Sequence, residues 1–351
     1  MQTSPVFTRY LYLKDEADVA LLASLFHKDK DQALFWAYEL HYSGFTDYVF
    51  HILWRIYFEF YATLNPSFEA YFKAKQKDTK NYPVHILIAL IINNLIIRKF
   101  NTDVFLLREV ACNFQMEPDE MPSLENSFMS QNYEAIASYI METNDIDVLT
   151  VIANAANSYF AKPIKKWDIP CINPKIGLLT RIMQTYTQLN KKGCIGGLGK
   201  SLYVITEPED IIMYANIETS GSPRTVLPIA VKYSADMYGF LHMFKKKRGC
   251  DIMENYRCNW LFYASESPIW LERIEAYNGT VNKELKIIAF EDAEEEESFY
   301  DKYGYSPDEQ SQTIQERNIP PIKTEKTWSD FYKTYKGQGL YCPDQAYLDD
   351  L

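Results

Sequence analysis

Residues 32–64 run QALFWAYELHYSGFTDYVFHILWRIYFEFYATL, and the reading of this stretch decides the fold. Leu34, Phe35, Ala37, Tyr38 and Tyr42 recur at helical spacing, and Gly44 stops the pattern. Thr46-Asp47 is an N-cap signal, so an aromatic-rich helix is expected from there to about Leu64. Asn65-Pro66 predicts the next start, with Asn as cap and Pro at the first helical position, where its missing N–H costs nothing. The same pair recurs at Asn173-Pro174, ahead of IGLLTRIMQTYTQL.

Working outward, further helices are expected at 84–99, 102–112, 131–143 and 147–160, each opened by polar capping residues. Short connections between helices of this length imply antiparallel neighbours. No period of roughly 33–40 residues repeats, so no named repeat family is implied. The expected fold is mainly α. An N-terminal antiparallel helical array, an irregular bundle or α-solenoid, covers 1–190. A smaller mixed α/β region packed on it covers 191–290, and an acidic tail covers 291–351.

In the middle region, KKGCIGGLGKSLYVIT (191–206) passes from a glycine-rich loop into a β-favouring run. Strands are expected at 211–217, 225–231 and 283–290, and helices at about 234–248 and 252–264. Ser267-Pro268 starts one more helix, and Asn278-Gly279 ends it.

The 351 residues are 47% hydrophobic and 24% charged, with 27 tyrosines and 20 phenylalanines, so the chain can bury a sizeable core. Lys+Arg is 36 against Asp+Glu 47, a formal charge of −11 that counts against a generic nucleic-acid binder. The acidity is local. Residues 291–351 hold 15 acidic and 6 basic residues, whereas 1–290 hold 32 and 30. The EDAEEEE run from Glu291 is expected to stay solvated. Beyond it, Trp328, Phe331, Tyr332 and Tyr335 fall on one helical face, with Thr327 and Asp330 placed as a capping box and Gly337 as a stop. This short aromatic helix, near 327–336, docks either onto its own chain or onto a protein partner.

The N-terminus, MQTSPVFTRYLYLKDEAD, lacks a basic stretch followed by an apolar one, so no signal peptide is expected. VHILIALIINNLII (84–97) falls short of the ~20 residues a membrane span needs, and it contains His85, Asn93 and Asn94. The six cysteines form no C-x-x-C and have no histidine at zinc-ligand spacing. Reduced thiols, a cytoplasmic location and no metal or cofactor are expected. The Asn278-Gly279-Thr280 sequon needs secretion to matter, and a helix end is the simpler reading.

Each chemical motif has a simpler structural reading. In Gly193–Ser201, a P-loop would need its first glycine at Cys194, and it would need a strand before and a helix after. Lys245, Lys246, Lys247 and Arg248 could contact nucleic acid, but they also suit the negative end of a helix just before Gly249. Asp145-Ile-Asp147 resembles a metal-binding D-x-D yet sits where aspartate caps a helix. His85 reads as a hydrogen-bonded core histidine. The aromatic runs at 35–38 and 260–263 read as core packing rather than base stacking.

Two stretches carry a resemblance. AlaLeuPheTrpAlaTyrGluLeu (33–40) with TyrSerGly (42–44), and ValLeuProIleAlaValLysTyrSer (226–234) with TrpLeuPheTyrAlaSerGluSerProIleTrpLeuGluArgIle (260–274), resemble segments of uncharacterised proteins of giant nucleocytoplasmic DNA viruses. The resemblance implies an origin in viral cytoplasmic factories and transfers no catalytic residue. The expected function is a non-enzymatic scaffold or adaptor, with the aromatic tail helix as its first contact. A nucleic-acid-associated factor and an enzyme with a dispersed site are the alternatives.

Overall fold

The computed structural model describes residues 6–114, 121–170, 172–190, 203–204, 259–303 and 327–350. Over these residues the protein is mainly helical, with one two-stranded sheet, and its N-terminal region is a helical array as expected. No helix among them is long and apolar enough to cross a membrane. The glycine-rich 191–202 loop, the strands expected at 211–217 and 225–231, the helix expected at 234–248 and the Lys245–Arg248 cluster lie outside the described residues. The chain forms two compact units, each assembled from three separate segments.

The first unit takes residues 1–49, 82–92 and 205–325. Phe7 and Leu13 form an antiparallel bridge around a tight turn, in which Leu11 adopts a φ of 60°. Two helices follow, α1 (Lys14–His27) and α2 (Lys30–Tyr42), packed along one another. Lys28 closes α1 in the left-handed conformation, and the Asp29 carboxylate caps α2 by accepting the Gln32 N–H at 3.0 Å. Phe35, Trp36 and Tyr38 are buried, so the aromatic run is core as expected.

The later part of this unit contains helical residues 259–264, α11 (Pro268–Glu275), the hairpin β1 (Thr280–Asn282) and β2 (Ile287–Ala289), and α12 (Ala293–Tyr303). Asn278 takes a φ of 53° and the Gly279 N–H reaches back to the Ile274 carbonyl at 2.9 Å, the helix end the Asn-Gly pair predicts. The strand expected over 283–290 is shorter, because Lys283–Lys286 form the turn that returns β2 to β1. Phe7, Leu11 and Leu13 share one core with Trp260, Trp270, Ile274 and Phe299, and Trp270 Nε1 donates to the Thr8 carbonyl at 2.9 Å.

The acidic run also differs from a plain solvated tail. Its glutamates do face solvent, but they form the start of α12. Asp292 caps this helix by accepting the Glu295 N–H at 2.9 Å, and the negative charges lie at the positive end of the helix dipole. The buried ring of Phe299 anchors the other side.

The second unit takes residues 50–81, 93–204 and 326–351. It includes the end of α3 (Thr46–Ile56), which starts at Thr46 as expected and runs into a π-helix, Tyr57–Tyr61. There the Ala62 N–H bonds the Tyr57 carbonyl, five residues back, at 2.7 Å. The widened turn turns carbonyls away from their usual helical donors, and other segments supply replacements. Asn101 N donates to Phe60 O at 2.9 Å and Gln184 Nε2 to Ala62 O at 2.8 Å, while the Thr180 hydroxyl, bonded to Ile176 O at 2.7 Å, lies 3.2 Å from Phe58 O.

Asn65-Pro66 is a turn rather than a helix start. The Asn65 amide is occupied with the Tyr61 and Lys99 carbonyls at 2.9 and 2.8 Å, so α4 begins only at Phe68 and runs to Gln76. The next helices are α5 (Val84–Ile96), of which only the end from Asn93 belongs to this unit, α6 (Asp103–Asn113), α7 (Leu124–Ser130), α8 (Tyr133–Glu142), α9 (Ile146–Phe160) and α10 (Pro174–Leu189). At the start of α10, Asn173 does cap, accepting the Lys175 N–H at 2.9 Å. Within this unit, α10 packs on α6, α8, α9 and the π-helix. Late in α5, the Asn94 side chain makes a two-bond pair with the Val204 backbone, at 2.9 and 3.1 Å, which explains an amide in an otherwise apolar stretch. His85, expected in the core, is only half-buried in the first turn of α5.

Candidate interaction surface

Thr327 and Asp330 form the expected capping box, and the aromatic tail helix, α13 (Trp328–Tyr335), follows it. Its apolar face is covered by this chain. Phe331 and Tyr335 are buried and Trp328 and Tyr332 half-buried. Trp328 stacks on Phe105 at 5.8 Å, Phe331 meets Phe105 edge-on at 6.2 Å, and Tyr335 lies 6.5 Å from Phe100. Past the helix, Gly337 forms an antiparallel bridge with Asn101. Asp103 then accepts the Leu340 N–H at 2.7 Å and the Tyr341 N–H at 3.3 Å. The Tyr341 hydroxyl donates to Glu134 at 2.8 Å, before the chain ends its described part in α14 (Gln345–Asp350). Of the two dockings open in the sequence, the structure holds the one onto the chain itself. Trp328, Phe331, Tyr332 and Tyr335 are therefore packing residues here.

Two buried ion networks could be mistaken for catalytic groups. In the second unit, Glu59 on the π-helix accepts from Arg55 and from Arg108, both at 3.1 Å, and Arg108 also pairs with Glu109. Burial opposes the Glu59 charge, but Arg108 and Arg55 outweigh it and hold the carboxyl below the usual range. In the first unit, Arg9 Nε donates to Glu39 at 2.9 Å, and the Tyr10 N–H donates to the same carboxylate at 3.0 Å. Nearby, His41 Nδ1 and the Thr46 hydroxyl are hydrogen-bonded at 2.8 Å. Burial, with His85 and Arg9 beside it, lowers His41 to about 4. These carboxylates are tied to arginines inside the protein, which suits structural ties between segments better than proton transfer to a substrate.

Other chemical readings have little to build on. Asp145 accepts the Asp147 N–H at 2.8 Å as the N-cap of α9, which is the structural role read from Asp145-Ile-Asp147. No cluster of three or more metal-ligating side chains occurs among the described residues. A groove between residues 259–262 and β2, lined by Phe262, Lys286, Ile288 and Tyr300, measures about 180 Å³. That is below the range of ordinary small-molecule sites.

The open feature is on α9. Its inner side buries Leu149, Ile152, Ala153, Ala156 and Phe160. The outer side is mixed, with exposed Asp147, Thr150, Asn154 and Ser158 beside an apolar stripe. Val148, Val151, Ala155 and Tyr159 follow at i, i+3, i+7 and i+11, which keeps them in one stripe along the helix. Val151 is 63% exposed, and Val148 and Tyr159 are also exposed. Met129 on the neighbouring α7 is 62% exposed. The flanking hydroxyls are already occupied, Thr150 with the Ile146 carbonyl and Ser158 with that of Asn154, at 2.8 and 3.0 Å. Tyr159 is held by Phe128, Phe160 and Tyr186 at 5.7, 5.1 and 6.1 Å. The stripe is thus apolar, flanked by the bonded hydroxyls of Thr150 and Ser158 and by exposed Asp147 and Asn154, and anchored by a braced aromatic ring. No known protein family, characterised protein or solved structure matches the chain.

Proposed function

We propose that the protein is a non-enzymatic scaffold that works through protein–protein contact, with the outer face of α9 as its contact surface. The single observation that carries this reading is the stripe of exposed Val148, Val151 and Tyr159 with half-buried Ala155, since contiguous apolar surface on a folded protein marks interaction sites. The tail helix is set aside as the first contact because its apolar face is covered by Phe100 and Phe105. Exposed free thiols at Cys112 and Cys342 suit a reducing compartment such as the cytoplasm. A viral origin rests on the resemblance of the 33–44, 226–234 and 260–274 segments alone.

The test is a photo-crosslinking amino acid placed at Val151 of the full chain, with the same group at exposed Lys77 as control. The reading expects a discrete protein adduct from position 151 and none from 77. Adducts no more frequent at 151 than at 77 would remove it.

A further inference from the structure

We infer that the occupant of this face is a second copy of the chain, docked about a two-fold axis with the two α9 helices antiparallel. This rests on the reading of α9 as a contact surface and names its partner.

Charge is the first reason. Glu142, Asp145 and Asp147, all exposed, cluster at the N-terminal end of α9, where Lys175 bonds the Met141 carbonyl at 2.8 Å, and exposed Lys162, Lys165 and Lys166 follow its C-terminal end near Asp168. Lys165 donates to the Pro66 backbone carbonyl at 3.3 Å. A two-fold axis across the helix brings each acidic end against the basic end of the other copy, twice over. A parallel arrangement would set like charges together. The helix dipoles favour the same antiparallel choice.

Shape gives a second, independent reason. An antiparallel register centred between Val151 and Ala155 sets Tyr159 of each copy over Val148 of the other, and Val151 beside Ala155. Large thus meets small along the stripe, as close packing requires. The same register sets Asp145 level with Lys162 of the second copy. Burying the flanking Thr150 and Ser158 costs little, because their hydroxyls already bond within α9. Met129, unbranched and adaptable, is exposed on α7, which packs against α9.

The experiment is sedimentation of the full chain up to roughly 100 µM, where an interface of this modest size should be populated. A species of twice 41.0 kDa is expected. Val151→Glu should abolish it while leaving the circular dichroism spectrum unchanged, since the side chain is exposed. Lys165→Glu should weaken the dimer several-fold, and Glu142→Lys added to it should restore the affinity. A monomer throughout overturns self-association. If position 151 then still crosslinks to a different protein, the contact-surface reading survives without it; if it crosslinks to nothing, both fall. A dimer indifferent to Val151→Glu overturns the proposed geometry.

Discussion

Arg108 Nη2 donates to Glu59 Oε2 over 3.1 Å, tying α6 to the π-helix inside the second unit. Glu59 is buried and Arg108 mostly so, and the carboxylate is poorly solvated without its arginines. Glu59→Gln leaves Arg108 with a weakened network and should cost about 3–5 kcal/mol of stability in urea unfolding. The folded-state pKa of Glu59 lies below its unfolded value. Its contribution is therefore present above about pH 4.5 and lost as pH falls further, and the variant should lose less stability in that acid range.

A separate pH window belongs to the first unit. His41 titrates near 4 in the fold against an ordinary 6.5. Between those values the unfolded chain holds a proton that the folded chain refuses. Stability should therefore be full above pH 6.5 and decline as pH falls toward 4. Burial also lowers His85, which adds to the same slope. Urea midpoints measured across this range should fall less steeply in His41→Gln.

The described tail segment depends on Asp103. Asp103→Ala removes the acceptor for the Leu340 and Tyr341 N–H groups, each bond being worth roughly 1.5–3 kcal/mol as a charged interaction. Limited proteolysis should then cut within 327–350 at protease levels the parent chain resists. Gly339→Ala should act similarly, since its new methyl group would collide with the Asp103 carboxylate.

The π-helix should respond to α10. Gln184→Leu leaves the buried Ala62 carbonyl without its side-chain donor, at an expected cost of about 1–3 kcal/mol. Faster amide hydrogen exchange at residues 57–62, with little change in α4, is the accompanying signature.

What the sequence reveals follows the range of each interaction. Gly44, Thr46 and Asn173 mark helix boundaries because a cap or stop acts within a few residues. The capping box and apolar face of α13 are legible for the same reason. Asn65 misleads because its amide finds Lys99, 34 positions on. The π-helix is hidden because carbonyls at its end are satisfied by distant residues, Phe60 by Asn101 and Ala62 by Gln184, the latter 122 positions away. The face of α9 is a different case. Its residues can be placed on a helical wheel, but its apolar residues spread beyond one face, and only the packing of Leu149, Ile152 and Phe160 shows which of them are inside.

Asp103 and Leu340 are 237 positions apart, and that separation sets a timetable for synthesis. At about 5–20 residues per second, a ribosome needs roughly 10–50 s to travel from one to the other. Throughout that interval the Phe105 ring and the Asp103 carboxylate lack their tail partners. A message broken before codon 327 would yield a chain that can never cover them, and chaperones and proteases could recognise it by that bare site.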